Sequence, residues 1–133
     1  MYAAVVPRFI DAVRRGEAPT IFGDGKQSRD FTYVDNVVQA NLLAMHVDEG
    51  FGQSYNIACG QNVSVRCLAD DVIGLLGAGT EPVYAEPRNG DIRDSLADIS
   101  LAWEWLRYKP LVQFSEGLKQ TVAWYQNVPV KER

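Results

Sequence analysis

Glycine interrupts this chain almost wherever an amphipathic run ends, and single short stretches of β-branched and aromatic residues lie between the runs. Helices that separate single strands in this way point to α/β or α+β layering. Residues 2–15 carry Val5, Val6, Phe9, Ile10 and Val13 at helical spacing. Pro7 is tolerable there only in a first turn, and Gly16 can take the left-handed stop. Residues 18–22 read as a short strand, Gly23-Asp24-Gly25 as a turn and residues 29–34 as a second strand. Asp35 is placed to cap a helix over 36–47, with Val38, Leu42 and Met45 on one face and Ala40, Ala44 and Val47 on the adjacent one. An apolar strand is expected at 55–58. Ser64 can cap the next helix, whose stripe Val65, Leu68, Ala69, Val72, Ile73 and Leu76 is the cleanest in the chain before Gly77. A strand at 82–85 follows, then a helix capped by Asp98 and running to 106. The last helix is capped by Ser115 and presents Leu118, Thr121, Val122 and Tyr125 on one face. The sum is about five helices and four to five short strands.

With 133 residues, 47% of them hydrophobic, the chain suits one domain over 1–128 with a short tail at 129–133, and disorder is expected only at 130–133. The formal net charge of −4 offers no general field for a polyanion, which argues against nonspecific nucleic-acid binding; anion binding must be local. No apolar run approaches the ~18 residues of a membrane span, and the charged first twenty positions lack the apolar core of a signal peptide, so a cytoplasmic protein with no membrane partner is expected. Cys59 and Cys67 have no second pair and His46 is the single histidine. This fits neither a zinc site nor a disulfide framework, and both read as free thiols.

Little of the usual catalytic apparatus is visible. Gly23-Asp24-Gly25-Lys26-Gln27-Ser28 superficially resembles a dinucleotide fingerprint, but Ser28 stands at the third glycine position and the segment runs on into a strand, with no helix N-terminus to hold a pyrophosphate. None of the six tyrosines has a lysine four residues on. His46 reads as an ordinary, partly exposed histidine. Asp70-Asp71 and Asp48-Glu49 point apart on their helices and read as solvated. No catalytic, cofactor-binding or metal-binding residue is therefore assigned. Three arginines stand out: Arg29 after the glycine turn, and Arg88 and Arg93 on either side of Gly90-Asp91. A guanidinium fork suits phosphate oxygens and a carboxylate such as Asp91 can accept from ribose hydroxyls, a combination suited to a nucleotide diphosphate. The alternative is local pairing, Arg29 with Asp30 or Asp24, and Arg88 and Arg93 with Glu86 or Asp94.

Four motifs in order carry a resemblance. Tyr2-Ala3-Ala4-Val5-Val6-Pro7-Arg8-Phe9 comes first. Ile21-Phe22-Gly23-Asp24-Gly25 follows, with Gln27 and Arg29-Asp30-Phe31-Thr32-Tyr33-Val34-Asp35. Then come Tyr55-Asn56-Ile57, and Arg88-Asn89-Gly90-Asp91 with Ser95-Leu96-Ala97-Asp98. Together they resemble the C-terminal, substrate-binding part of extended short-chain dehydrogenases/reductases, the NAD-dependent nucleotide-sugar epimerases and dehydratases, and in particular UDP-glucose and UDP-N-acetylglucosamine 4-epimerases. The resemblance implies an extended Rossmann-type protein without its dinucleotide-binding half. It implies that Ala4 and Val5 lie along the uracil and that Thr20, Ile21 and Phe22 line the base. Arg29 and Arg88 would hold the diphosphate and Asp91 would take a ribose hydroxyl, with Gln27, Arg93 and Ser95 as neighbours. NAD is the family's cofactor, but its fingerprint and the Tyr-x-x-x-Lys pair have no counterpart in these residues, so none is expected on this chain alone. Arg107 stands where the family usually has glycine.

Two or three charge-assisted hydrogen bonds contribute ~1.5–3 kcal/mol each, whereas association costs ~4–15 kcal/mol, so half a cleft should bind a UDP-sugar only weakly. Three expectations follow from the resemblance: a noncatalytic nucleotide-sugar-binding chain, a self-associating homo-oligomer, or one half of an enzyme completed by a separate dinucleotide-binding domain. The second rests on the first helix and the 55–58 strand, whose apolar faces would otherwise be exposed.

Overall fold

The computed structural model describes residues 4–129, so the expected disorder at 130–133 lies outside the described residues. Helix α1 (Val5–Arg14) leads to β1 (Thr20–Phe22), β2 (Ser28–Arg29) and α2 (Val34–Ala44). After β3 (Val63–Ser64) come α3 (Val65–Leu76), β4 (Val83–Ala85), α4 (Ser100–Leu106) and α5 (Phe114–Gln126). Pro7 falls in the first turn of α1, where its missing N–H is not needed. Gly16, at φ +74°, closes the same helix: its N–H donates to the Val13 carbonyl and the Glu17 N–H to that of Ala12, both at 2.9 Å. The Ser64 hydroxyl caps α3 by accepting from the Cys67 N–H at 3.1 Å, as its position predicts.

Two cores result. The larger joins Phe9, Ile10 and Val13 of α1 to Ile21 of β1, the stripe of α3, and Leu118 and Val122 of α5. The apolar face of α1 is thus buried rather than exposed. The smaller core packs Ala40 of α2 against Ala102, Leu106 and Tyr108. β1 pairs with β4 in parallel, and β2 with β3 antiparallel.

Several expectations fail where tertiary contacts outweigh local pattern. The strand expected over 29–34 ends at Arg29. Asp30 turns inward to accept from the backbone N–H groups of Cys59 and Gly60, at 3.0 and 2.9 Å, and Phe31 packs on Phe114 with ring centroids 5.6 Å apart. Residues 55–58 form no strand; the Ala58 carbonyl instead accepts from the Tyr108 hydroxyl at 2.9 Å. Helix α2 begins at Val34 with Tyr33 as its N-cap, so Asp35 lies in the first turn, facing the helix's positive end. Likewise α5 starts at Phe114 with Gln113 as N-cap, and Ser115 is not the cap. Asp98 sits just before the N-cap of α4 and does serve its start, accepting from the Ser100 N–H at 2.9 Å and from the Ser100 hydroxyl.

The orientation of α2 is the largest departure. Asn36 and Ala40 face inward, while Val38, Leu42 and Met45 are 51%, 54% and 76% exposed. Asn36 decides this: its Oδ1 accepts from the N–H groups of Leu111 and Val112 at 2.9 and 3.0 Å, and its Nδ2 donates to the Val112 carbonyl at 2.7 Å. Three hydrogen bonds to the backbone of Leu111 and Val112 pin the helix face that a hydrophobicity pattern would turn outward.

Candidate functional site

Parallel pairing sends two strands out of a sheet at the same end. Thr20 lies beside Val83 and Phe22 beside Ala85, and the Gly23 N–H extends the ladder to the Ala85 carbonyl at 2.9 Å. The turn at 23–25 and the segment 86–93 therefore emerge side by side. Gly25, at φ +75°, makes this turn possible, and a Cβ there would meet the Arg66 Cβ at 3.2 Å. Ser28 ties β2 to the same segment: its N–H donates to the Arg93 carbonyl at 2.8 Å and its hydroxyl to Asp94 at 2.6 Å. The Ser95 N–H returns to the Ser28 carbonyl at 3.2 Å, a backbone role.

A cavity of about 380 Å³ opens where these pieces meet the start of α1, a size usual for small-molecule sites. Ala4, Val5, Thr20, Phe22, Arg29, Arg88 and Asp91 line it, together with Gln27. Arg29 and Arg88 thus share one cavity although α2, β3, α3 and β4 lie between them in sequence. Ile21 does not line it. Side chains alternate along a strand, and Ile21 points the other way into the larger core, fully buried. Phe9, Val65, Asn89 and Ile92 also face the cavity and were not anticipated. Asn89 and Ile92 were legible as neighbours of Arg88 and Asp91; Val65 carries no local signal, because only the β2–β3 pairing brings it there.

The charges are arranged across the chain rather than locally. Arg29 Nη2 donates to Asp91 Oδ1 at 2.6 Å and Nη1 to the Ser28 carbonyl at 2.7 Å. Arg93 donates to both Asp24 oxygens, at 3.2 and 3.1 Å, beside a smaller recess adjoining Phe22. The Lys26 N–H, then Arg93, hold the exposed Asp24 carboxyl below its usual range. The local pairings weighed above are therefore absent for Arg29 and Arg93. Arg88 forms no ion pair among the described residues; its guanidinium carbon lies 3.8 Å from the centroid of the Phe22 ring. Gln27 is buried and donates to the Phe22 carbonyl at 2.6 Å, which fixes that ring's strand from beneath.

Outside this region His46 is exposed and its Nδ1 donates to the Leu42 carbonyl at 2.7 Å. Both cysteines are free, Cys59 buried and Cys67 exposed. No helix among the described residues is long and apolar enough to cross a membrane.

Residues 2–58 match the family model described as "NAD dependent epimerase/dehydratase family". The chain is 38% identical over 125 residues to a putative UDP-glucose 4-epimerase of Methanocaldococcus jannaschii, an alignment covering 94% of this chain and 40% of that protein. The chain belongs to the NAD-dependent epimerase/dehydratase family. Within it the chain is UDP-sugar 4-epimerase-like. The UDP-glucose 4-epimerase of Thermotoga maritima, solved with UDP-glucose, superimposes with a TM-score of 0.89 at 43% identity over 94% of this chain and 40% of that one. The UDP-N-acetylglucosamine 4-epimerase of Methanobrevibacter ruminantium, in complex with UDP-N-acetylmuramic acid, gives 0.87 at 39% identity over 95% and 40%. This family member thus spans about 40% of the length of the relatives it matches.

NAD is the cofactor that the family's name implies, and the Gly23–Gly25 turn does not fit it. The turn joins β1 to β2, and its Asp24 carboxylate accepts from the Lys26 N–H at 2.9 Å. No helix N-terminus follows to receive a pyrophosphate.

Proposed function

We propose that this chain supplies the nucleotide-diphosphate wall of a UDP-sugar site. The observation that carries the reading is the convergence of Arg29, Arg88 and Asp91 with Phe22 and the start of α1 on one cavity. Ala4, Val5, Phe9 and Phe22 offer an apolar slot for a planar base. Arg29 and Arg88 present guanidinium donors to phosphate oxygens, and Asp91 presents a carboxylate to a ribose hydroxyl. The relatives with UDP-glucose and UDP-N-acetylmuramic acid bound support the same ligand class. The role we assign is holding substrate and not hydride transfer, because the Gly23–Gly25 turn does not fit NAD and none of the six tyrosines has a lysine four residues on. Epimerisation is expected only with a dinucleotide-binding domain completing the site. Titration calorimetry with UDP and UDP-glucose tests the reading. Weak binding at high micromolar to millimolar ligand, abolished by Arg88→Ala, is expected; no heat from a folded sample at millimolar ligand would overturn it.

The exposed row Val34, Val38, Leu42 and Met45 on α2 favours a second reading, in which this helix face pairs with another copy of the chain. Sedimentation at ~0.1 mM, well above the ~µM range of a moderate contact, should show a dimer that Leu42→Glu dissociates. A clean monomer would exclude it.

A further inference from the structure

Arg8 has no role in the reading above. It sits on the second turn of α1, half-buried, with its guanidinium carbon 5.4 Å from the centroid of Phe22, the same ring that carries Arg88. The other two arginines near the cavity are neutralised, Arg29 by Asp91 and Arg93 by Asp24. Among the described residues neither Arg8 nor Arg88 forms an ion pair. Against the favourable contact with the Phe22 ring face, the surroundings of Arg8 disfavour its charge. Burial, and secondly the charge of Arg88, push the Arg8 guanidinium below its ordinary pKa. The N-terminal end of α1 adds a partial positive charge close by. Two guanidinium groups held on one ring beside a cavity, with no ion-pair partner among the described residues, mark a candidate anion site.

We infer that Arg8 is a positioning residue for the diphosphate: it braces the Phe22 ring on which Arg88 rests and adds a second uncancelled positive charge. Two such charges match the two negative charges of a diphosphate diester, the linkage in a nucleotide sugar. This rests on the UDP-sugar reading. Arg8 acts through Phe22 and Arg88, since it does not itself line the cavity. It is therefore a different element of recognition from the groups that touch the ligand.

The test is an amide NMR titration of the full chain with UDP-glucose, which tolerates millimolar affinities, at several NaCl concentrations. Arg8→Gln is expected to weaken binding about tenfold and to flatten the salt dependence, with Arg8→Lys recovering most of both. A purely structural role would not change the salt slope. Wild-type affinity and slope in Arg8→Gln would overturn the inference while leaving the parent reading intact, as would a loss of affinity at unchanged slope. If Arg8→Gln fails to fold, Arg8→Lys decides: a folded lysine variant with a wild-type slope supports the charge role, and one with a flattened slope overturns it. Absence of binding by the wild-type chain would remove the parent reading and the inference with it.

Discussion

The guanidinium of Arg29 and the carboxylate of Asp91 meet at 2.6 Å although 62 positions separate them in the chain. Each is thus the other's partner in the very cavity where both are proposed to hold ligand. Arg29 keeps further donors for a phosphate, and Asp91 keeps a second oxygen for a ribose hydroxyl. The pair is partly exposed, so its own contribution to folding is only ~0–1 kcal/mol. Arg29→Gln should therefore leave the melting temperature nearly unchanged and weaken UDP binding by ~1.5–3 kcal/mol, the range for a charged hydrogen bond. Calorimetry and thermal melting on the same sample separate the two. Unchanged affinity would remove Arg29 from the site.

Asn36 holds the opposite balance, being outside the lining of the cavity and decisive for the fold. Its fully buried amide satisfies backbone groups of Leu111 and Val112. Asn36→Ala leaves them unpaired in the interior, which should cost ~2–5 kcal/mol. Urea denaturation would show the midpoint falling accordingly, and a change under ~1 kcal/mol would mean that water replaces the amide.

Arg107 ends α4 at φ +55°, the one non-glycine residue with positive φ among those described. A Cβ in this left-handed conformation is strained, and glycine relieves the strain at a smaller entropic cost in the unfolded chain. Arg107→Gly is expected to raise stability by up to ~1 kcal/mol, a few degrees in melting temperature. A lower melting temperature would show that the arginine side chain contributes more than its backbone costs.

Alkaline pH should unfold the protein through Tyr108. Burial, with Cys59 and Asp30 adding repulsion, pushes its hydroxyl up to about 12 from the ordinary 10. An acid whose folded pKa is raised keeps its proton longer in the native state, so stability is full below pH ~10 and falls between ~10 and ~12 as the unfolded chain ionises first. Absorbance of tyrosinate followed with circular dichroism should show the last tyrosine titrating together with unfolding. Tyr108→Phe should shift this transition to higher pH; an unmoved transition would assign it to another group.

The helices were legible wherever a single face decides the outcome. The α3 stripe from Val65 to Ile73 is buried as its spacing implies, and Gly16 and Ser64 act as stop and cap. Failures came where a side chain is claimed by a distant segment. Asp30 leaves the expected strand for Cys59 and Gly60, and Asn36 turns α2 so that its more apolar row faces out. In the candidate cavity, seven of the eight residues expected from motif order line the wall, while Ile21 does not, because strand alternation turns it into the core, and Val65 was missed because only strand pairing brings it there.

The local code, comprising helical periodicity and glycine stops, sufficed to state the order of the five helices, and the order of the motifs pointed to the family. It could not say which acid neutralises which arginine. That was decided by the parallel pairing of β1 with β4 and the tie from Ser28 to the 93–95 segment, which bring Arg29 to Asp91 and Arg93 to Asp24 and leave Arg8 and Arg88 uncancelled on one ring. Ion pairing depends on distance in space and not on separation along the chain, so only the folded arrangement could settle it.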